Sequence, residues 1–103
     1  MTRTDQQIYK VVADVVSKSA PVGWREIIVA ASISDDNGEA IYDYVDESGK
    51  RQWFAPDTSS QYEVYTAFQE LHSLMRASGN SWGKARFTLE RSGKFRTEFD
   101  YES

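Results

Sequence analysis

The sequence predicts an α+β fold with the element order α-β-β-β-α-β-β, in which a five-stranded antiparallel sheet carries two helices on one face. Two observations predict this arrangement. Apolar residues recur at helical spacing in two segments, residues 4–18 and about 57–77. The other segments alternate between apolar and polar residues and are separated by turns that contain glycine, a pattern typical of strands joined by hairpins.

Each predicted helix has a start signal and an apolar stripe. The first helix has Asp5 in its first turn and ends before Pro21. The second helix starts at a cap supplied by Asp57 or Ser59 and runs to about Ala77. The residues predicted to face inward are Ile8, Val11, Val12, Val15 and Val16 in the first helix, and Tyr62, Tyr65, Phe68, Leu71, Leu74 and Met75 in the second.

The first three strands form a predicted meander between the two helices. These strands are residues 24–34, 40–46 and 52–55. An Asn-Gly turn of two residues predicts that Ile33 pairs with Tyr42. A Ser-Gly turn predicts that Tyr44 pairs with Trp53 on the side of the sheet that faces the helices. The other side of the meander then carries both apolar and acidic residues.

The last two strands form a predicted closing hairpin, residues 84–90 and 94–100, around the three-residue loop Arg-Ser-Gly. On one face, Lys84 is opposite Asp100, Arg86 opposite Glu98, Thr88 opposite Arg96 and Glu90 opposite Lys94. On the other face, Ala85 is opposite Phe99, Phe87 opposite Thr97 and Leu89 opposite Phe95. Since the first set mostly pairs opposite charges, this hairpin neutralises its own carboxylates. An acidic binding surface is therefore expected elsewhere.

Length, cysteine content and net charge limit the class of protein to which the chain can belong and the partners it can bind. A chain of 103 residues predicts a single domain over residues 1–103, and the lack of cysteine excludes disulfides and thiolate metal sites. The net charge of −4 disfavours nucleic acid and anionic membranes as partners, because phosphate contacts need a surplus of Lys and Arg. No segment approaches membrane-spanning length and no signal peptide is evident, so we expect a cytoplasmic protein.

The sequence offers no constellation that indicates catalysis or a cofactor. His72 is the only histidine, and no motif supplies the nucleophile or orienting carboxylate that a general base requires. The segment that begins at Asp35 and Asp36 lacks the ligand spacing of a calcium loop. No glycine-rich phosphate loop follows a strand. We therefore expect no enzymatic activity, no catalytic residue, no metal and no cofactor.

The face of the meander opposite the helices is the predicted binding surface. It is too apolar for solvent, and the predicted topology provides no third layer to cover it. We expect the carboxylates around it to lack partners, and an apolar patch rimmed by unpaired carboxylates is typical of a protein interface. A chain terminus or a second copy of the chain is the alternative cover. The predicted binding residues are Ile41, Asp43, Val45, Gln52 and Phe54, with Asp46 and Glu47 on the rim.

Several short motifs run from the first strand to the end of the chain. They are Gly23-Trp24, Tyr42-Asp43-Tyr44, Trp53-Phe54, Trp82-Gly83-Lys84, Phe87-Thr88-Leu89, Gly93-Lys94-Phe95 and Phe99-Asp100-Tyr101. In these motifs the chain resembles the YezG-like immunity proteins, small antitoxins of bacterial polymorphic toxin systems. The resemblance implies a protein that binds and blocks a cognate toxin, commonly a nuclease.

Two functional hypotheses follow from these observations. The first is an immunity protein, a monomer or weak homodimer, whose acidic meander binds a basic nuclease toxin. The second is a small acidic secretion chaperone, since type III secretion chaperones resemble this order of elements and wrap an extended segment of an effector. The chain ends at Ser103 without their usual third helix, which favours the first hypothesis.

Overall fold

The helices and strands follow the predicted order, α-β-β-β-α-β-β. The computed structural model describes residues 3–34 and 37–101. The elements are α1 (Asp5–Ser19), β1 (Trp24–Ile33), β2 (Gly38–Asp46), β3 (Arg51–Trp53), α2 (Thr58–Ala77), β4 (Trp82–Glu90) and β5 (Phe95–Tyr101). All five strands form one antiparallel sheet in the order β3-β2-β1-β4-β5, and both helices pack on the same face. The predicted fold class is confirmed.

Both helices begin at side-chain caps. The Thr4 hydroxyl accepts a hydrogen bond from the Gln7 N–H at 3.2 Å, and the Gln7 side chain accepts one from the Thr4 N–H at 2.8 Å. This reciprocal pair satisfies two amide donors that the first turn leaves without partners. At α2, the Asp57 carboxylate accepts from the Ser60 N–H at 2.7 Å, so Asp57 rather than Ser59 is the cap.

The core lies between the helices and one face of the sheet. From the helices, its fully buried residues are Ile8, Val12, Val16, Val64, Ala67, Phe68 and Leu71. The prediction for Tyr62 is wrong, since that side chain is 68% exposed. The buried stripe of α2 starts at Val64. Tyr62 lies two residues earlier, which places its side chain about 160° around the helix from Val64.

The pairing of β1 with β2 differs from the prediction. Ile33 pairs with Gly38, and Tyr42 pairs with Val29 instead of Ile33. The Ser34 N–H donates to the Asn37 carbonyl at 2.8 Å, and Gly38, predicted as a turn residue, is the first residue of β2. The register is displaced by four residues, an even number, and each side chain stays on its predicted face.

The pairing of β2 with β3 differs by one residue. Trp53 lies opposite Asp43, whereas the sequence predicted Tyr44. The Asp46 N–H donates to the Lys50 carbonyl at 3.0 Å, which makes a three-residue loop that ends at Gly49, where φ is +88°. A one-residue slip exchanges the two faces of a strand, so Trp53 moves to the side away from the helices.

The closing hairpin has the predicted pairing. Six of the seven predicted residue pairs appear in the register from Lys84–Asp100 to Leu89–Phe95, and the Glu90 N–H donates to the Lys94 carbonyl at 2.8 Å. Of the three predicted charge pairs, Arg86–Glu98 is the one within salt-bridge distance in the described part of the chain, at 2.8 Å.

Candidate protein-binding face

The side of the sheet away from the helices, the open face, carries the candidate site. Its meander half consists of Glu26, Ile28, Ala30 and Ser32 on β1, Glu39, Ile41, Asp43 and Val45 on β2, and Arg51 and Trp53 on β3. Its hairpin half consists of the even-numbered residues of β4 from Lys84 onward and those of β5. Both helices pack on the other side of the sheet, so in the described residues neither covers this face.

Two large apolar side chains on the open face are exposed to solvent. Trp53 is 77% exposed and Ile41 is 57% exposed. Ile28, on β1 at the centre of the face, is buried between its neighbours Asp43 on β2 and Thr88 on β4. Val45 is half-buried. The meander half therefore offers an apolar surface that a partner could cover.

Asp43 lies at the centre of the meander half and forms an ion pair. The Arg51 guanidinium contacts its Oδ2 through Nη2 at 2.7 Å and through Nε at 3.0 Å. The expectation that the carboxylates of this face lack partners is therefore wrong for Asp43. Since Arg51 stays 59% exposed, the pair presents both a carboxylate and a guanidinium to the solvent beside Trp53.

Asp46 organises the turn at the end of this face. Its Oδ1 accepts hydrogen bonds from the Ser48 hydroxyl at 2.6 Å and from the amides of Ser48 and Lys50 at 3.0 Å. Its Oδ2 accepts from Gln52 Nε2 at 3.0 Å. These bonds favour the charged carboxylate and hold the pKa of Asp46 below its ordinary value. Glu47, the next residue, is exposed at the tip of the turn.

Two of the seven predicted binding residues do not lie on the open face. Phe54 is 8% exposed and packs on the helix side, with ring centroids 5.8 Å from Tyr42 and 5.9 Å from Tyr44. Gln52 lies opposite Tyr44, a residue of the helix side. The one-residue slip of β3 is the reason for both corrections. Of the other five, Ile41, Asp43 and Val45 lie on the face, and Asp46 and Glu47 at the turn that ends it.

Trp53 is the residue of this face that the sequence interpretation missed. The signal was present, because the loop Glu-Ser-Gly before Lys50 has the same form as the loop Arg-Ser-Gly before Lys94. The closing hairpin was interpreted as a three-residue loop, and the same interpretation here would have placed Trp53 opposite Asp43. In both hairpins, a three-residue loop that ends in Ser-Gly thus sets the pairing register of the two strands.

Charge is distributed unevenly along the sheet. Residues 38–53 contain four acids and two bases. Residues 84–100 contain five bases and three acids. The meander half is therefore the more negative part of the open face, and the closing hairpin is the more positive part.

A shallow groove of about 500 Å³ lies on the open face between these two regions. Its floor is formed by small residues of β1, Ala30 and Ser32. Ile41 and Glu39 form one wall, and the opposite wall is the charged surface of β4 and β5. Because small residues separate longer ones, the groove could admit a side chain of a partner.

The described residues contain no evident catalytic or metal centre. His72 is half-buried, and its ring lies edge-on to Trp82 at 5.0 Å, a contact typical of core packing. No group of three or more His, Asp or Glu side chains in the described ranges is arranged to hold a metal ion. Asp35 and Asp36 lie outside the described residues.

Neither described helix is both long and apolar enough to span a bilayer.

Comparisons with known proteins give a consistent result. The family model described as "Immunity protein YezG-like" matches residues 6–103. The "Type VII secretion system protein EsaG" of Staphylococcus aureus (strain NCTC 8325 / PS 47) is 24% identical over 108 residues, which cover 92% of this chain and 66% of that protein. The "Immunity protein YezG" of Bacillus subtilis (strain 168) is 22% identical over 110 residues, which cover 94% of this chain and 73% of that protein. The chain thus spans about two thirds of the length of these curated relatives.

Proposed function

The chain belongs to the YezG-like immunity protein family, and we propose that it neutralises a cognate protein toxin by binding it through the open face, one toxin per chain. The observation that carries the choice of surface is the exposure of Trp53 and Ile41 on a sheet face that neither helix covers. The family match supports the antitoxin role, and the geometry supports the place of binding.

The apolar part of the meander half would form the centre of the interface. Burying an exposed tryptophan removes a large apolar surface from water, and tryptophan is enriched among the residues that dominate binding energy. Trp53 lies directly opposite Asp43, and Arg51, which pairs with Asp43, lies two residues before Trp53 on the same face of β3. A toxin that covers Trp53 would therefore also exclude water from this ion pair, which strengthens its electrostatic influence on the toxin.

The acid excess of the meander half suits a basic toxin, and we propose a nuclease. A nuclease must attract polyanionic nucleic acid and therefore presents a basic surface. The exposed carboxylate of Glu47 and the two carboxylates held at Asp43 and Asp46 would attract that surface and speed the encounter. A toxin covered in this way could no longer bind its nucleic acid. Protection would then take place in the cytoplasm, where such a toxin meets its substrate.

Neutralisation by this route needs no chemistry on the part of the antitoxin. The open face offers hydrogen-bonding, charged and apolar groups, and the only histidine packs against Trp82 on the other side of the sheet. Protection should therefore follow the amount of antitoxin: it should be complete once the antitoxin equals the toxin and partial below that ratio.

The direct experiment uses the toxin encoded beside this chain. Co-expression should rescue cells from that toxin, and the purified pair should form a complex with one toxin per chain. Nucleic acid degradation by the purified toxin should stop at an equimolar amount of the antitoxin. Rescue by a small catalytic amount, or the absence of a complex, would contradict the proposal. Binding only to an unfolded segment of the neighbouring protein, without protection, would instead support a secretion chaperone.

A further inference from the structure

The two edges of the sheet differ in how open they are to another strand. The β3 edge has three residues and is followed closely by Pro56. The β5 edge has seven residues without proline and pairs with β4 without a bulge from Lys84–Asp100 to Leu89–Phe95. Within the described residues no strand lies beyond β5. Natural proteins usually shorten or interrupt such an edge, because its free backbone groups readily pair with another strand.

The hydrogen bonds of β4 show which backbone groups of β5 point outward. The Glu90 N–H donates to the Lys94 carbonyl, so even-numbered residues of β5 direct their backbone groups toward β4. On the other side of β4, the Arg91 N–H donates to the Arg25 carbonyl, which fits the same alternation. The N–H and C=O groups of Phe95, Thr97 and Phe99 therefore point away from the sheet.

We propose that β5 pairs antiparallel with β5 of a second copy of this chain, with the two-fold axis at Thr97. In this register, Thr97 exchanges hydrogen bonds with its own equivalent. Arg96 lies opposite Glu98 of the second copy, and Lys94 lies opposite Asp100 of the second copy. Phe95 lies opposite Phe99 of the second copy. Every charged residue of the edge thus meets an opposite charge, and each phenylalanine meets another.

Neighbouring registers lack this complementarity. A shift of two residues in one direction places Arg96 opposite its own equivalent on the two-fold axis. A shift of two residues in the other direction does the same to Glu98. Both arrangements bring like charges together at the centre of the pairing, where they are destabilising. The charge order of β5 therefore selects a single register with a copy of itself.

This self-complementarity favours a second copy over the toxin as the occupant of the edge. A two-fold interface requires the same patch to complement itself, and the order Lys94, Arg96, Glu98, Asp100 satisfies that requirement. Pairing would also cover Phe95, which is 37% exposed, with Phe99 of the second copy. Because β3 lies at the opposite edge of the sheet, a dimer through β5 leaves Trp53 accessible.

The test is a charge-exchange experiment on the purified chain without toxin. Sedimentation equilibrium over a wide concentration range should show a dimer of the native chain. Arg96→Glu and Glu98→Arg each create two like-charge contacts in the dimer. The dimer dissociation constant of each variant should therefore rise at least about tenfold. Mixed together, they should form a heterodimer, because the new charges of each variant then face opposite charges on the other. Lys50→Glu, which changes the net charge as Arg96→Glu does, should dimerise normally.

Circular dichroism distinguishes a variant that fails to fold from a folded variant that fails to dimerise. Glu98→Arg removes the Arg86 pair, but both side chains are more than half exposed, and pairs of this kind contribute little to stability. Both variants should therefore keep the native spectrum. A native chain that stays monomeric, or folded variants that do not associate when mixed, would overturn the proposal.

A cysteine experiment tests the register itself, since the chain has no cysteine of its own. Two Thr97→Cys chains would hold their sulfurs close to the two-fold axis and should form a disulfide-linked dimer under mild oxidation. Two Tyr101→Cys chains would be separated by roughly 27 Å along the strands and should stay unlinked. Efficient linking of only the second variant would contradict the register. If the native chain is monomeric and Arg96→Glu abolishes toxin binding, the edge accepts a toxin strand and the dimer is wrong.

Discussion

Asp43 and Trp53 lie directly opposite each other across β2 and β3, on the side of the sheet away from the helices. The carboxylate of Asp43 is held at 2.7 Å by Arg51, and the indole beside it is 77% exposed. A charged pair and a large apolar ring are therefore presented together. This combination gives a partner both an electrostatic guide and a surface to bury.

Reversing the charges of Asp43 and Glu47 to lysine should weaken toxin binding by ~2 kcal/mol or more, because it replaces attraction by repulsion at the interface. Association should slow most at low salt, and the difference should shrink as salt rises. Surface plasmon resonance at two ionic strengths measures both effects. The matched control reverses Glu98 and Asp100, with the same change in net charge. Normal binding by the first variant, with binding abolished in a folded control, would place the interface on the hairpin.

Phe54→Ala and Trp53→Ala should affect stability very differently, although the residues are adjacent. Phe54 is 8% exposed and contacts two tyrosine rings, so its truncation should cost about 3 kcal/mol of unfolding free energy. Trp53 is mostly exposed, and its truncation should change stability by about 0.5 kcal/mol or less. Urea unfolding measures both values. The reverse order would mean that β3 has the register predicted from the sequence.

Gly38→Ala should destabilise the protein, even though alanine is usually preferred to glycine in a strand. A Cβ atom at residue 38 would lie 2.5 Å from Cε1 of Tyr65 and 3.0 Å from Cδ1 of Ile33. The tyrosine ring would have to move, at a cost of about 1–3 kcal/mol in unfolding free energy. Adding Tyr65→Ala should relieve the clash, so the two effects should be less than additive. Strict additivity in a thermal unfolding cycle would contradict this close approach.

Acid should destabilise the fold through three carboxylates whose pKa values are lowered. Hydrogen bonds from Ser48 lower the pKa of Asp46, the Ser60 N–H lowers that of Asp57, and Arg3 lowers that of Glu70. The ordinary values are 3.8 for aspartate and 4.5 for glutamate. Since the unfolded chain binds protons more readily, the stabilisation is complete above these values and is lost as pH falls through the lower native values.

Thermal unfolding between about pH 7 and about pH 3 measures this dependence. Glu70→Gln removes one of the three groups and should make the acid decline less steep. The Arg3 guanidinium contacts Glu70 at 2.6 Å, so the variant should also lose some stability at neutral pH. A decline as steep as in the native chain would show that Glu70 does not contribute to the acid dependence.

The closing hairpin was predictable because local sequence and long-range pairing agree there. Its three-residue loop and its alternation of charged and apolar residues indicate one register, and that register is confirmed. At the first hairpin, the Asn-Gly dipeptide predicted a two-residue turn, but Gly38 belongs to the strand, packed beneath the Tyr65 ring. Tertiary contact outweighed the local turn preference at that position.

The candidate site was predicted only in part, because strand alternation makes it sensitive to a single residue. One additional residue in the loop before Lys50 exchanges Phe54 for Trp53 on the open face. Asp43 was placed correctly, but its pairing with Arg51 follows from the true register, which brings Arg51 beside it on the same face. Ile41 and Val45 were assigned to the correct face because the error in the first register was even.

Binding through the open face is tested most directly by the affinity of the neighbouring toxin for three forms of this chain, measured by isothermal titration calorimetry. The native chain should bind one toxin per chain. Ile41→Ala combined with Trp53→Ala should lower the affinity at least about tenfold, because it removes the exposed apolar residues of the open face. Tyr62→Ala, which truncates an aromatic residue on α2 that is 68% exposed, should bind like the native chain. Native affinity in the double variant, with affinity lost in Tyr62→Ala, would place the toxin on the helices and contradict binding through the open face.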